Sequence, residues 1–439
     1  QRGAEPLQNP VDTLSRIIVL IEKVARRSAY LLLLVENPNA LNQLVRLCGA
    51  SSWIADELAQ HPALLDELLN PASLYNPPDK QSLHDELRQQ VLRVGWDDLE
   101  GQMETLRYFR QAHGLRVAAS EVTGVLPLMQ VSDYLTWLAE VILEHVLTLA
   151  WQQMLERHGR PSVGVDGLAP EFIVVGYGKM GGIELGHGSD LDLVFIHDAD
   201  ARAYTEGVGE QGQIDHQTFF TRLGQKMIHI LNTRTASGPL YEVDMRLRPS
   251  GNSGLLVTSL AAFEKYQRNE AWTWEHQALT RTRVVAGGAR LAEAFEGVRE
   301  QLLCQPRELK NLRDEVVAMR EKMRGHLGSK LGEQPTQFHL KQDAGGIVDI
   351  EFLVQFLVLA HAEKAPNLTS FSDNIRILDT LDAEGWITSG ELRQLTEAYK
   401  TYRSAGHRLS LQRLQGAVEG QLFTAEREQV RFIWDKYLG

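Results

Sequence analysis

Residues 176–195, GYGKMGGIELGHGSDLDLVF, decide between two readings of the fold. A short apolar run, Phe172 to Val175, opens directly into the glycine-rich turn, and Leu191 to Ile196 follows as a second run of strand length. The series Gly176-x-Gly178-x-x-Gly181 also fits a dinucleotide-binding fingerprint, with Asp198 near its expected acidic position. Spacing rejects that reading. A parallel crossover needs a helix of about a dozen residues opening at the glycines. Only nine residues separate Gly181 from Leu191, and Gly186 and Gly188 among them disfavour helix. Lys179 is followed by Met rather than Ser or Thr, which excludes a Walker-type loop. The glycines are expected instead to let the backbone approach a nucleotide triphosphate.

Asp190 and Asp192 stand two residues apart, so on a strand they share one face, about 6.6 Å from each other along the chain. Two like charges that close call for a cation, and carboxylate oxygens are the ligands Mg²⁺ prefers. Alone, such a pair reads more often as a solvated strand end. A third carboxylate changes the balance. In Tyr241-Glu242-Val243-Asp244-Met245-Arg246-Leu247-Arg248 the alternation of Val243, Met245 and Leu247 predicts a half-buried strand over 240–247. Glu242, Asp244, Arg246 and Arg248 then share the opposite face. Acids on two neighbouring strands can hold two metal ions, one activating an attacking hydroxyl and the other clamping a triphosphate. Arg246, Arg248 and Lys179 suit phosphate oxygens, although each taken singly reads equally well as part of a surface ion pair.

Outward from this centre the pattern is helical. From Leu14 to Arg116 apolar residues recur at three- and four-residue intervals, broken by Pro38, Pro62, Pro71 and Pro77–Pro78. A longer helix is expected over 131–157, stopped by Gly159-Arg160-Pro161, and another over 218–231. Beyond Arg290 helices return, with Leu312, Val316, Met319 and Met323 on one face, an apolar helix over 350–362, and one over 374–381 with Ser372 as its N-cap and Gly385 as its stop. At 439 residues the chain should form two to four domains. The expected division is a helical region 1–120, a small mixed sheet with helices over 121–290, and a helical bundle over 291–439, an α+β protein that is mostly helical.

Composition bounds the function. With 45 Lys+Arg against 57 Asp+Glu the formal charge is −12. Within 121–290 there are 14 basic against 20 acidic residues. That balance speaks against a nucleic-acid-tracking groove while leaving room for a local basic pocket. Cys48 and Cys304 form no CxxC pair, which fits a reducing, cytoplasmic setting. Ile17 to Val35 is interrupted by Glu22, Lys23, Arg26 and Arg27 and is not expected to cross a bilayer. The start at Gln1, with neither Met nor a secretion signal, reads as part of a longer chain.

A Gly-Gly turn, then Ser-Asp-x-Asp on a strand, then one Asp on a later strand resembles the DNA polymerase beta-like nucleotidyltransferase superfamily. Within it, residues 176–195, YEVDMRLRPSG (241–251), NEAWTWEHQAL (269–279) and KQDAGGIVDIEF (341–352) resemble the glutamine synthetase adenylyltransferase family, whose bifunctional members attach AMP to glutamine synthetase and remove it. The resemblance spans nearly the whole chain but corresponds to one half of such a protein. GHGSDLDLVF and Trp272-Thr273-Trp274-Glu275-His276 look more like the carboxy-terminal, adenylylating half than the half that removes AMP by phosphorolysis.

The resemblance implies that Asp190, Asp192 and Asp244 bind Mg²⁺, two ions in all, and are the catalytic residues. Gly181, Gly182, Ser189, Lys179, Arg246 and Arg248 would contact the nucleotide. ATP would give its α-phosphoryl to a tyrosine hydroxyl of glutamine synthetase, and pyrophosphate would leave. A phenol ionises near pH 10, so attack at neutral pH needs a metal or an Asp244-assisted proton transfer. The PII signal protein and glutamine are the implied regulators, with the flanking helices as docking surfaces. Asp349 and Glu351 fit either a helix N-terminus or a place near ATP. His187 and His276 are expected as hydrogen-bonded structural groups, and Trp272 and Trp274 as core. A non-catalytic module that kept the fold is the remaining alternative.

Overall fold

The computed structural model describes residues 9–439 apart from 26, 165–166, 201, 210–211, 236 and 329–336, so Gln1 and Arg26 lie outside the described residues. The two apolar runs are strands β1 (Phe172–Gly176) and β2 (Leu191–His197). They pair antiparallel, Val175 opposite Val194. A single turn of helix, Gly178–Gly181, sits in the connection. This is hairpin geometry, and it removes the parallel crossover that a dinucleotide fold requires.

Three further strands complete the sheet: β3 (Val243–Asp244), β4 (Val257–Ser259) and β5 (Arg283–Gly287). β5 lies antiparallel to β1, while β3 and β4 share the other edge of β2, both parallel to it. The sheet is therefore mixed, as expected. The strand expected over 240–247 is reduced to Val243–Asp244. It ends at Asp244, where the Arg246 N–H donates to Asp244 Oδ1 at 2.8 Å and the chain turns toward Pro249. A side chain that captures its own backbone two residues on competes with the ladder. Glu242 and Arg248 consequently do not share a face with Asp244.

Alternation along β1 and β2 sorts their side chains onto two cores. Val174, Leu191, Leu193 and Phe195 pack on the long helices Leu99–Val122 and Leu128–His158 and on His216–Asn232. Ile173, Val175, Tyr177, Val194 and Ile196 face the C-terminal helices, chiefly Ile347–His361 and Ser389–Leu411. Asp192 has the parity of Val194 and Ile196, so it points toward the C-terminal side. A third core gathers the N-terminal helices, four of whose segments begin with a proline, Pro10, Pro38, Pro62 and Pro71. Proline suits that first position because its missing N–H has no helical partner there.

Two details differ from the expected pattern. The helix Asn374–Ala383 is capped by Asp373, which accepts from the Arg376 N–H, and Ser372 instead donates through Oγ to the Gly181 carbonyl at 2.7 Å. Neither tryptophan is core: Trp272, at the N-cap of Thr273–Leu279, is 70% exposed, and Trp274 is half-buried. His276 is hydrogen-bonded to the Gln267 carbonyl at 2.9 Å, as a structural histidine should be. Among the described residues no helix is long and apolar enough to cross a membrane.

Buried charge ties the sheet to the C-terminal helices. Arg281 donates to Glu184 and, at 2.5 Å, to Glu351. Tyr399 donates to Glu184 at 2.6 Å, and Arg403 donates to the Glu184 carbonyl at 2.8 Å and to Ser132 Oγ at 2.7 Å. Glu184 is held below the usual carboxylate range by Arg281 and Arg403 despite complete burial. Arg281→Met should leave the Glu184 carboxylate to Arg403 and Tyr399 alone and strip Glu351 of its guanidinium, at a cost of about 3–5 kcal/mol read by urea denaturation. The double variant Arg281→Met with Glu184→Gln should recover much of the loss; equal stability of the two variants would show that the pair is not coupled.

Candidate active site

The site is built where β2 meets β3. Parallel pairing sets Leu191 opposite Val243 and Asp192 opposite Asp244, and Asp190 precedes by one pleat. The three carboxylates offer oxygens that all lie within 4.8 Å of one another. The arrangement requires Gly178: its φ is +54°, and a Cβ there would stand 2.9 Å from Asp192 Oδ2. The glycine thus makes room for an acid rather than for the turn alone.

Environment separates the three acids. Asp190 is exposed. Asp192 is pushed up to about 6, first by burial and then by Asp190 and Asp244. Asp244 moves the other way, because the Arg246 guanidinium forks onto it, Nε lying 2.7 Å from Oδ2 and 3.0 Å from Oδ1. That guanidinium occupies the oxygens a cation would take, and at 75% exposure it is free to swing aside. An all-carboxylate set with one proton-prone member is the donor chemistry a hard divalent ion satisfies. The residues fit Mg²⁺.

A cavity of about 600 Å³ opens over this cluster, between the sheet and the C-terminal helices. Lys179 stands at the mouth, open to the cavity yet crowded by protein. Burial, Lys341 and Arg403 together hold its ammonium below the usual lysine range. Lys341 reaches the same cavity from the C-terminal region. Its position follows from the short antiparallel pair Gln337–His339 and Ala417–Glu419, next to which the Leu340 N–H donates to the Gly416 carbonyl at 3.0 Å. Neither lysine has a carboxylate ion-pair partner among the described residues, so both are available to an anion. Leu247, Ala278, Leu340 and Ile347 give the cavity an apolar wall.

The other residues expected to touch a nucleotide divide. Ser189 and Arg246 line the cavity. Gly181 and Gly182 do not: their N–H groups donate to the carbonyls of Tyr177 and Gly178, and a Cβ on Gly181 would stand 2.1 Å from the Arg281 carbonyl. They serve close packing. Arg248 turns away and donates to the Met245 carbonyl at 2.9 Å. Glu351 lines the cavity through its pair with Arg281, whereas Asp349 is buried elsewhere, accepting from Arg320 Nε at 2.6 Å and from the Gly345 N–H at 2.6 Å. Sequence reasoning missed Lys341 as a member of the site and Gly178 as the residue that admits Asp192. A lysine opening the run 341–352 was visible; its distance in sequence from the aspartates concealed the connection.

Paired aspartates on one strand, a third on its parallel neighbour and two lysines without carboxylate partners meet at one cavity. The family model for glutamate-ammonia ligase adenylyltransferase matches residues 41–298, more than half of the chain, and the model for GlnD PII-uridylyltransferase matches 292–434. The chain is 56% identical over 98% of its length to a bifunctional glutamine synthetase adenylyltransferase/adenylyl-removing enzyme of Pseudomonas aeruginosa, covering 45% of that protein. Proteins with the same name from Pseudomonas putida and Hahella chejuensis are 56% and 52% identical over 97% of this chain, which covers 44% of each. The chain therefore belongs to the glutamate-ammonia ligase adenylyltransferase family, glutamate-ammonia ligase being glutamine synthetase, and it spans less than half the length of these relatives.

The raised Asp192 has a thermodynamic consequence. Its folded value of about 6 lies above the ordinary 3.8, so its contribution to stability is full below about pH 4 and is lost as pH rises through about 6. Without divalent metal, Asp192→Asn should raise stability at pH 7 by about 1–3 kcal/mol and flatten the pH dependence between 4 and 7. Thermal melts with EDTA across that range check it; a destabilised asparagine variant would contradict the account in which burial and the neighbouring acids raise Asp192.

Proposed function

We propose that this chain moves AMP from ATP to a tyrosine hydroxyl of glutamine synthetase, releasing pyrophosphate and turning down nitrogen assimilation. The observation that carries the reading is the register that sets Asp192 against Asp244 beneath a cavity holding Lys179 and Lys341, within a chain of this family.

In this reading Asp190, Asp192 and Asp244 hold Mg²⁺, two ions in all, which when bound supplies charge neutralisation for the reacting phosphate and hydroxyl. Lys179 and Lys341 hold the triphosphate oxygens, and Arg246 joins them after releasing Asp244. The apolar wall of Leu247, Ala278, Leu340 and Ile347 takes the adenine. The phenolic oxygen bonds to the α-phosphorus, the bond from that phosphorus to the bridging oxygen breaks, and pyrophosphate leaves with the electron pair. The phenolic proton passes to a carboxylate oxygen of Asp244. Positioning and cations supply most of the acceleration, as phosphoryl chemistry asks. The segments 1–120, 121–290 and 291–439 act as an N-terminal helical region, a catalytic unit and a C-terminal helical unit. The third also lends Lys341 to the site. The PII signal protein and glutamine regulate the reaction through the helical segments, in the cytoplasm.

Incubation with α-labelled ATP, Mg²⁺ and unmodified glutamine synthetase should label the latter. Asp192→Asn and Asp244→Asn should each lower the rate at least about 100-fold while the fold persists by circular dichroism. Lys341→Met should raise the KM for ATP by about tenfold, the loss of about 1.4 kcal/mol of binding. No label, together with ADP release from adenylylated glutamine synthetase on adding phosphate, would reverse the direction assigned here.

A further inference from the structure

A second cleft, of about 830 Å³, reaches the aspartate cluster from elsewhere. Its walls come from all three parts of the chain: Lys23, His61 and Arg110 from the N-terminal helices, Tyr241 beside β3, and Arg413 just beyond Ser389–Leu411. The residues it shares with the lysine-bearing cavity are Ser189 and Asp190. The two hollows thus meet at Ser189 and Asp190 and are otherwise lined by different residues. In-line displacement needs two separate approaches, because the attacking oxygen must arrive at the phosphorus opposite the departing pyrophosphate. With Lys179 and Lys341 holding the triphosphate in one hollow, the other is the approach left for the acceptor.

We infer that this second cleft receives the acceptor tyrosine on a protein loop carrying acidic residues beside it. The assignment rests on the transfer reaction proposed above and adds which surface reads the protein substrate. Charge selects the flanks. Arg234 is offset by Glu242 at 3.7 Å and Arg413 by Asp56 at 2.6 Å. Lys23 and Arg110 have no carboxylate ion-pair partner among the described residues, and Arg110 stacks over the Tyr241 ring, its Cζ 4.8 Å from the centroid. Two uncompensated cations on the way to the metal site favour carboxylates on the incoming chain and oppose a basic one. A side pocket of about 190 Å³, lined by Trp53, Leu135 and Leu138 together with Glu57, Gln111 and His187, opens from the same cleft and has room for one side chain of the loop.

Steady-state transfer of labelled AMP, with glutamine synthetase and ATP varied in turn, tests the assignment on the full chain. Lys23→Glu and Arg110→Gln should each raise the KM for glutamine synthetase about tenfold and leave the KM for ATP within about twofold. Lys23 is exposed, so its variant probes the cleft without disturbing the core. An active wild type whose two variants keep the parental KM for glutamine synthetase overturns the cleft assignment alone. So does a rise in the KM for ATP, or an effect confined to the response to glutamine. A wild type that transfers no AMP overturns the proposed function and this assignment with it.

Discussion

Asp192 and Asp244 face each other across a parallel strand pair, with Asp190 one pleat away, and their mutual repulsion organises much of what surrounds them. Unit charges 4–5 Å apart repel by about 3–4 kcal/mol at an effective dielectric of 20. The protein answers within its own atoms. Arg246 forks onto Asp244, and Asp192 holds its proton up to about 6. Both devices are reversible, since a divalent cation can displace the proton and free the guanidinium for phosphate. Covering β2 on both faces holds the carboxylates in this register although burial strengthens their repulsion.

That covering explains why the C-terminal helices belong to the site. The sheet has two buried faces, and the parity of β2 sends Asp192 toward the side of Ile347–His361 and Ser389–Leu411. Whatever packs on that face also roofs the carboxylates. Glu184, Arg281, Tyr399 and Arg403 fix the roof by buried hydrogen bonds, and Lys341 is thereby held over the aspartates from far along the chain. Buried ionic groups contribute little net stability compared with apolar packing. Here they set a position, which a catalytic cavity needs more.

Much of this was legible in the sequence because it is local. Residues 176–195 read as two strand-length runs about a glycine-rich turn with acids at alternate positions, and the prolines at 38, 62 and 71 broke the helical run where segments begin. The parts that were not legible depend on tertiary partners. Nothing in the alternation of 243–247 reveals that Asp244 will capture the Arg246 N–H and end the strand. β4 and β5 are short, and their strand character comes from pairing with β2 and β1. The glycines misled in a similar way: all of them read as phosphate-approach residues, but Gly181 and Gly182 pack on Arg281 and only Gly178 borders the acids.

Charge gives the same lesson at a larger scale. A formal −12 argues against a polyanion-binding surface, yet it says nothing about where unpaired cations sit. Lys179, Lys341, Lys23 and Arg110 have no carboxylate partner among the described residues, and they line the two hollows that meet at Asp190. Cations set in concave ground beside the three carboxylates concentrate small anions and acidic segments there, whatever the net charge of the chain. In the proposed reaction, selectivity for a nucleotide triphosphate on one side and an acidic loop on the other rests on pairing within the fold. Net composition alone cannot express it.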